Sequence, residues 1–137
     1  MGRVFFNTRK NIHNVSAAYT GLASDSGKTF MINQTGGYAI TLPAPATAQE
    51  GWHADFVLKT VAAANVTITC VGTDLFHGVG LDGEDAAQTV TEGTGIDVIT
   101  IASGATKGDR VSIVCDGTNY YFTSVAADKA HITVAAE

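Results

Sequence analysis

Short runs of period-two alternation, each closed by turn residues, constrain this chain more than any other feature. In residues 52–59, Trp52, Ala54, Phe56 and Leu58 fall on one side, and His53, Asp55 and Lys59 fall on the other. That is the pattern of a strand with one face in a core and the other in water. Tyr38, Ile40 and Leu42 alternate in the same way before Pro43 and Pro45 stop the run, as do Val66, Ile68 and Cys70, and Val111, Ile113 and Cys115.

The runs predict strands over residues 28–33, 38–42, 52–59, 65–70, 96–102, 110–115 and 119–125, with an edge strand at 131–134. The Asp116-Gly117-Thr118 step joins two alternating runs and is a hairpin signal. Residues 72–95, rich in Gly, Asp and Glu, read as a long irregular connection with a short strand at 88–91. No segment supports a helix of ten residues. About eight short strands with turn signals every eight to twelve residues predict an all-β fold, a single-domain antiparallel sandwich or jelly-roll-like barrel.

Charge divides the chain. Residues 1–24 carry Arg3, Arg9 and Lys10 and no acid, while residues 25–137 carry five basic and thirteen acidic side chains, so a +3 segment precedes a −8 body. With no sustained period before the Ser24-Asp25-Ser26-Gly27 turn, residues 1–24 read as an extended N-terminal arm and 25–137 as the folded domain. An acidic body excludes a nucleic-acid surface, which needs a positive field over its contact face. No apolar run approaches the ~20 residues that span a bilayer, and the start lacks the apolar stretch of a secretory signal. No membrane partner is therefore expected, and synthesis is expected in a cytoplasm. There Cys70 and Cys115 read as two buried thiols in preference to a disulfide.

Motifs that resemble chemistry lack the context that chemistry needs. Gly27-Lys28-Thr29 ends like a phosphate-binding loop, but the required earlier glycine position is Leu22, and the residues after Lys28 are β-branched and aromatic. Residues 78–83 match a dinucleotide pattern by letter, without the strand–turn–helix unit around it. Asp74, Asp82, Glu84 and Asp85 lack the alternating spacing of a calcium loop. His13, His53, His77 and His131 are scattered without zinc spacing. A small glycan hydrolase would need two convergent carboxylates, and neighbours on one loop do not supply them. The chain is expected to be no enzyme, with no catalytic, cofactor-binding or metal-binding residue.

Two stretches resemble a module of bacteriophage structural proteins. In the first, residues 24–59 (SDSGKTFMINQTGGYAITLPAPATAQEGWHADFVLK), a Gly-Lys-Thr-Phe strand, a turn, an Ile-Thr-Leu-Pro strand end and an aromatic strand follow one another. In the second, residues 108–125 (GDRVSIVCDGTNYYFTSV), an Asp-Gly-Thr-Asn turn leads into an aromatic strand that carries Tyr120 and Tyr121 where the pattern usually has Trp. The resemblance implies a virion β-sandwich module shared by head decoration (cement) proteins and by tail-fibre or spike proteins. The expected function is capsid decoration: binding the outside of the head and stabilising its lattice, as a homotrimer on the major capsid protein. The alternative is a tail-fibre, spike or knob component that binds the host surface. The chain is short, without repeats, collagen-like tracts or heptads, which favours decoration. The basic, aromatic arm, Arg3, Phe5, Phe6, Arg9 and Lys10, is the expected capsid or subunit interface.

Overall fold

The computed structural model describes residues 10–33, 36–72, 75–83 and 90–136, with the side chains of 90–94 excepted. The described structure is mostly strand, 55%, with only 6% helix, so the all-β expectation holds. Six strands come first: β1 (Asn11–Val15), β2 (Tyr19–Thr20), β3 (Lys28–Ile32), β4 (Tyr38–Leu42), β5 (Glu50–Leu58) and β6 (Val66–Cys70). Then come β7 (Phe76–Asp82), β8 (Val90–Ile96), β9 (Val98–Ile101), β10 (Arg110–Asp116), β11 (Tyr120–Ala126) and β12 (Ile132–Ala135). The one α-helix among the described residues, α1 (Pro45–Ala48), is a single turn that begins on the proline ending the β4 region.

Two mixed sheets result, one of seven strands in the order β1-β3-β5-β10-β11-β7-β8 and one of five in the order β12-β9-β6-β4-β2. Through β6 the chain changes sheet at every strand. As a result β1, β3 and β5 lie parallel in the larger sheet, and β2, β4 and β6 lie parallel in the smaller. Each strand in one sheet acts as the crossover that two parallel strands in the other require. The later strands close the structure, with β10 antiparallel to β5 and β11, β9 antiparallel to β6 and β12, and β7 parallel to β11. The expected antiparallel topology is corrected accordingly. Alternation fixes which face of a strand is buried and carries no information about its partner's direction.

One core fills the space between the sheets, and the alternating residues supply it. Trp52, Ala54, Phe56 and Leu58 are all at most 2% exposed. Phe56 stacks on Phe30 of the neighbouring strand, ring centroids 5.0 Å apart. Ile40, Ile68 and Ile99 of the smaller sheet close over them.

Residues 11–20, expected within the arm, carry β1 and β2 and belong to both sheets. Their periodic signal is weak because β1 buries little besides Val15 and β2 is two residues long. A knot around Asp25 fixes the entry. Its carboxylate, 1% exposed, accepts the Tyr19 hydroxyl at 2.9 Å, the Leu22 N–H at 2.8 Å and the Lys28 ammonium at 2.6 Å. Burial alone pushes this carboxyl up. The Lys28, Leu22 and Tyr19 donors outweigh burial and hold it below the ordinary aspartate range.

The expected irregular connection at 72–95 instead contains β7 and β8, an antiparallel pair. Glycine was misleading there. At Gly78 an added Cβ would run into the Phe122 backbone of β11, so this glycine admits a strand where other residues would exclude it.

Candidate functional site

Among the described residues, β5, β10, β11 and β7 carry a set of exposed side chains on one face of the seven-stranded sheet. Register places His53, Val114, Tyr121 and His77 in one row across β5, β10, β11 and β7. Asp55, Ser112, Thr123 and Val79 form the next row, and Val57, Arg110, Val125 and Leu81 a third. Because strands alternate, these are the residues that point away from the core. Val79, Leu81, Val114, Tyr121 and Val125 are 37–48% exposed on this face, and Ile12 on β1 is 50% exposed. Six of the nine exposed large apolar side chains in the described residues therefore share one side of one sheet.

A groove of about 300 Å³ is cut into the β5–β10–β11 part of that face, lined by His53, Asp55, Ser112, Val114, Tyr121 and Thr123 among others. At its polar wall the Ser112 hydroxyl donates to Asp55 at 2.8 Å, and the Lys10 ammonium pairs with the same carboxylate at 3.1 Å. Burial pushes Asp55 up, while Ser112 and Lys10 hold it below the ordinary range. Tyr121 packs at 5.9 Å from the ring of His77, and its phenol is pushed up by a hydrogen bond to Asp116.

A serine, a histidine and an aspartate thus stand side by side, in an arrangement unlike that of a nucleophile. The Ser112 hydroxyl donates its hydrogen bond to the carboxylate, and the His53 Nδ1 faces the Gly51 carbonyl of its own strand at 3.0 Å. Nucleophilic catalysis needs the base on the hydroxyl and the carboxylate behind the base.

The other sequence candidates disperse. Lys28 is committed to Asp25, and Thr29 is buried within β3 with no helix after it. The pattern at 78–83 lies along and just beyond β7. His13 packs on Tyr19 and Phe30, and His131 pairs with buried Asp109 at 2.8 Å. Asp74, Glu84 and Asp85 lie outside the described residues, and among those described no three His, Cys, Asp or Glu side chains gather as a metal site would require. Cys70 and Cys115 are free thiols, and burial pushes Cys70 up to about 11.

Of the expected interface residues, Arg3, Phe5, Phe6 and Arg9 lie outside the described residues, and Lys10 is held on Asp55 of its own domain. Sequence reasoning passed over the exposed stripe. Its signal was present in Val114, Tyr121 and Val125, apolar residues at the solvent phase of strands whose core phase is already apolar.

No protein-family model matches the chain, and no significant match to it was found among curated proteins or solved structures.

Proposed function

We propose that this chain is a bacteriophage capsid decoration protein that docks on the major capsid protein through the apolar outer face of its seven-stranded sheet. The observation that carries the reading is the clustering of Val79, Leu81, Val114, Tyr121 and Val125 on one solvent-facing side of the sheet. An apolar patch of this kind marks an interaction surface, and its polar neighbours Ser112, Asp55 and Lys10 are engaged with one another. The resemblance of residues 24–59 and 108–125 to phage virion modules supplies the particle. Homotrimeric binding fits the task, because three linked weak contacts gain avidity, commonly by ~10²–10⁴, when all engage together.

The test is cryo-electron microscopy of whole tailed particles whose heads lack decoration, after incubation with the purified protein, alongside a V79S/L81S/V125S variant that retains its β circular dichroism. The expected result is lattice-point density for the native protein and vacant lattice points for the variant. Native density on the tail would overturn decoration in favour of host-surface binding. Equal occupancy by the variant would remove the sheet face from the contact.

A further inference from the structure

Two kinds of side chain stand in parallel rows along the β5–β10–β11 groove. His53, Val114 and Tyr121 lie side by side across the three strands, and Asp55, Ser112 and Thr123 form the neighbouring row. Such rows lie roughly 6.8 Å apart along the strands, and each spans two strand spacings, roughly 10 Å. An aromatic and aliphatic wall thus runs beside a band of hydroxyl and carboxylate groups. We infer that the groove binds a neutral hexopyranose unit of a glycan, with the C–H face of the sugar on Tyr121 and Val114 and its hydroxyl edge on Asp55, Ser112 and Thr123.

Each part of the lining suits that ligand. The Tyr121 ring is 44% exposed and is held at two points, by its hydroxyl on Asp116 and by the His77 ring 5.9 Å away. A ring fixed in advance loses little conformational freedom when a ligand stacks on it. Ser112 spends its hydrogen on Asp55, so what it offers a ligand is its lone pairs. Asp55 takes hydrogens from Ser112 and Lys10 out of the roughly four a carboxylate can accept, which leaves room for sugar hydroxyls. A purely apolar occupant would instead strip water from that carboxylate and return no hydrogen bond. The volume of about 300 Å³ is at the small end for a ligand site and fits a single ring better than a whole oligosaccharide.

Charge points to a neutral sugar. Asp55 in the lining and Lys10 at the rim already balance each other at 3.1 Å, which disfavours both a uronic or sialic acid and a basic peptide side chain. Asp55 is the one carboxylate among the described lining residues, so the groove holds a sugar without cleaving it; glycoside hydrolysis takes a pair flanking the bond. Val79, Leu81 and Val125 lie outside the lining, and the inference goes beyond the decoration reading without resting on it.

The test is amide NMR of the purified full-length protein, titrated separately with the methyl pyranosides of glucose, galactose and mannose. At the ligand efficiency usual for small molecules, a methyl hexoside should bind with a dissociation constant on the order of 1 mM. Saturable shifts from at least one of these sugars should centre on the amides of 53–55, 112–114 and 121–123. Tyr121→Ala removes the platform and Thr123→Val removes one exposed hydroxyl, and each should weaken binding about tenfold. Val79→Ser, outside the lining, should leave the affinity unchanged. If Tyr121→Ala disturbs the spectrum beyond the groove, Thr123→Val carries the test. The absence of saturable shifts from all three sugars overturns the proposal, as do shifts centred elsewhere or native affinity in either groove variant. Tighter binding of methyl glucuronide would overturn the choice of a neutral sugar, and tighter binding of N-acetyl-argininamide at the same amides would assign the groove to a basic peptide instead. No readout involves a phage particle, so this inference and the decoration reading fail separately.

Discussion

Tyr120 donates its phenolic hydrogen to the Pro43 carbonyl at 2.8 Å, and so joins β11 of the larger sheet to the end of β4 in the smaller one. The ring is fully buried, 5.7 Å from both Trp52 and Phe76. Burial pushes the phenol well above its ordinary range and keeps it a donor at any physiological pH. Tyr120→Phe keeps the ring packing and leaves a buried carbonyl unsatisfied. The expected loss is about 1–3 kcal/mol, measured by urea unfolding with an unchanged m-value. A loss below about 0.5 kcal/mol, the scale of neutral surface changes, would show that this bond does not link the sheets energetically.

Phe56 and His53 occupy opposite faces of β5, with Phe56 wholly buried and His53 exposed. Phe56→Ala should cost about 3–5 kcal/mol through lost burial and the cavity left against Phe30. His53→Ala should stay within about 0.5 kcal/mol. Similar losses in the two variants, measured by denaturant unfolding, would contradict the register of the central strand.

What could be read from the residues was what repeats locally. The faces of β4, β5, β6, β10 and β11 follow from alternation, and the Asp116–Asn119 turn follows from its Asp-Gly pair, whose Asp116 carboxylate accepts the Thr118 and Asn119 N–H groups at 2.7 and 2.6 Å. Pairing direction was not legible, since Tyr38 and Val66 sit opposite each other in a parallel ladder only because β5 intervenes in the other sheet. Edge strands were not legible either. β1 and β2 bury too few residues to impose a period. The apolar outer face is hard to see in the sequence because valine is also a good strand former. Strand propensity alone accounts for Val114 and Val125, and only their place beside Tyr121, Val79 and Leu81 in the folded sheet makes them a surface.

The Asp25 knot makes a pH prediction with a definite sign. Its carboxyl is held below the unfolded aspartate value of about 3.9, chiefly because Lys28, Leu22 and Tyr19 favour the charged form against burial. Stability from this group is therefore present above pH ~4 and is lost as pH falls through the lower folded value. Asp25→Asn should cost about 3 kcal/mol near neutrality, the low end for removing one partner of a buried pair, since Lys28 remains partly exposed. The deficit relative to the native protein should shrink between pH 5 and about 2. Unfolding curves for both proteins across that range provide the check. A deficit independent of pH would assign the cost to packing and remove the charge argument.

Gly78 supplies the last prediction, because it decides whether 76–82 can be a strand at all. In the parallel ladder it pairs with Phe122, and an added Cβ would meet both the backbone and the ring of that residue. The obstruction includes main chain held by β10 on its other side, so relief requires β7 to separate from β11. β7 also anchors β8, so the damage should spread outward toward that edge while β5 and β10 remain paired. Gly78→Ala should accordingly destabilise by more than the ~1–3 kcal/mol of ordinary overpacking. Hydrogen exchange should quicken in β7 and β8 first, as expected for a locally opening unit. Uniform loss of protection across both sheets would make the strand part of the global unfolding unit. Native exchange rates in β7 would mean that the two backbones are further apart than the structure places them.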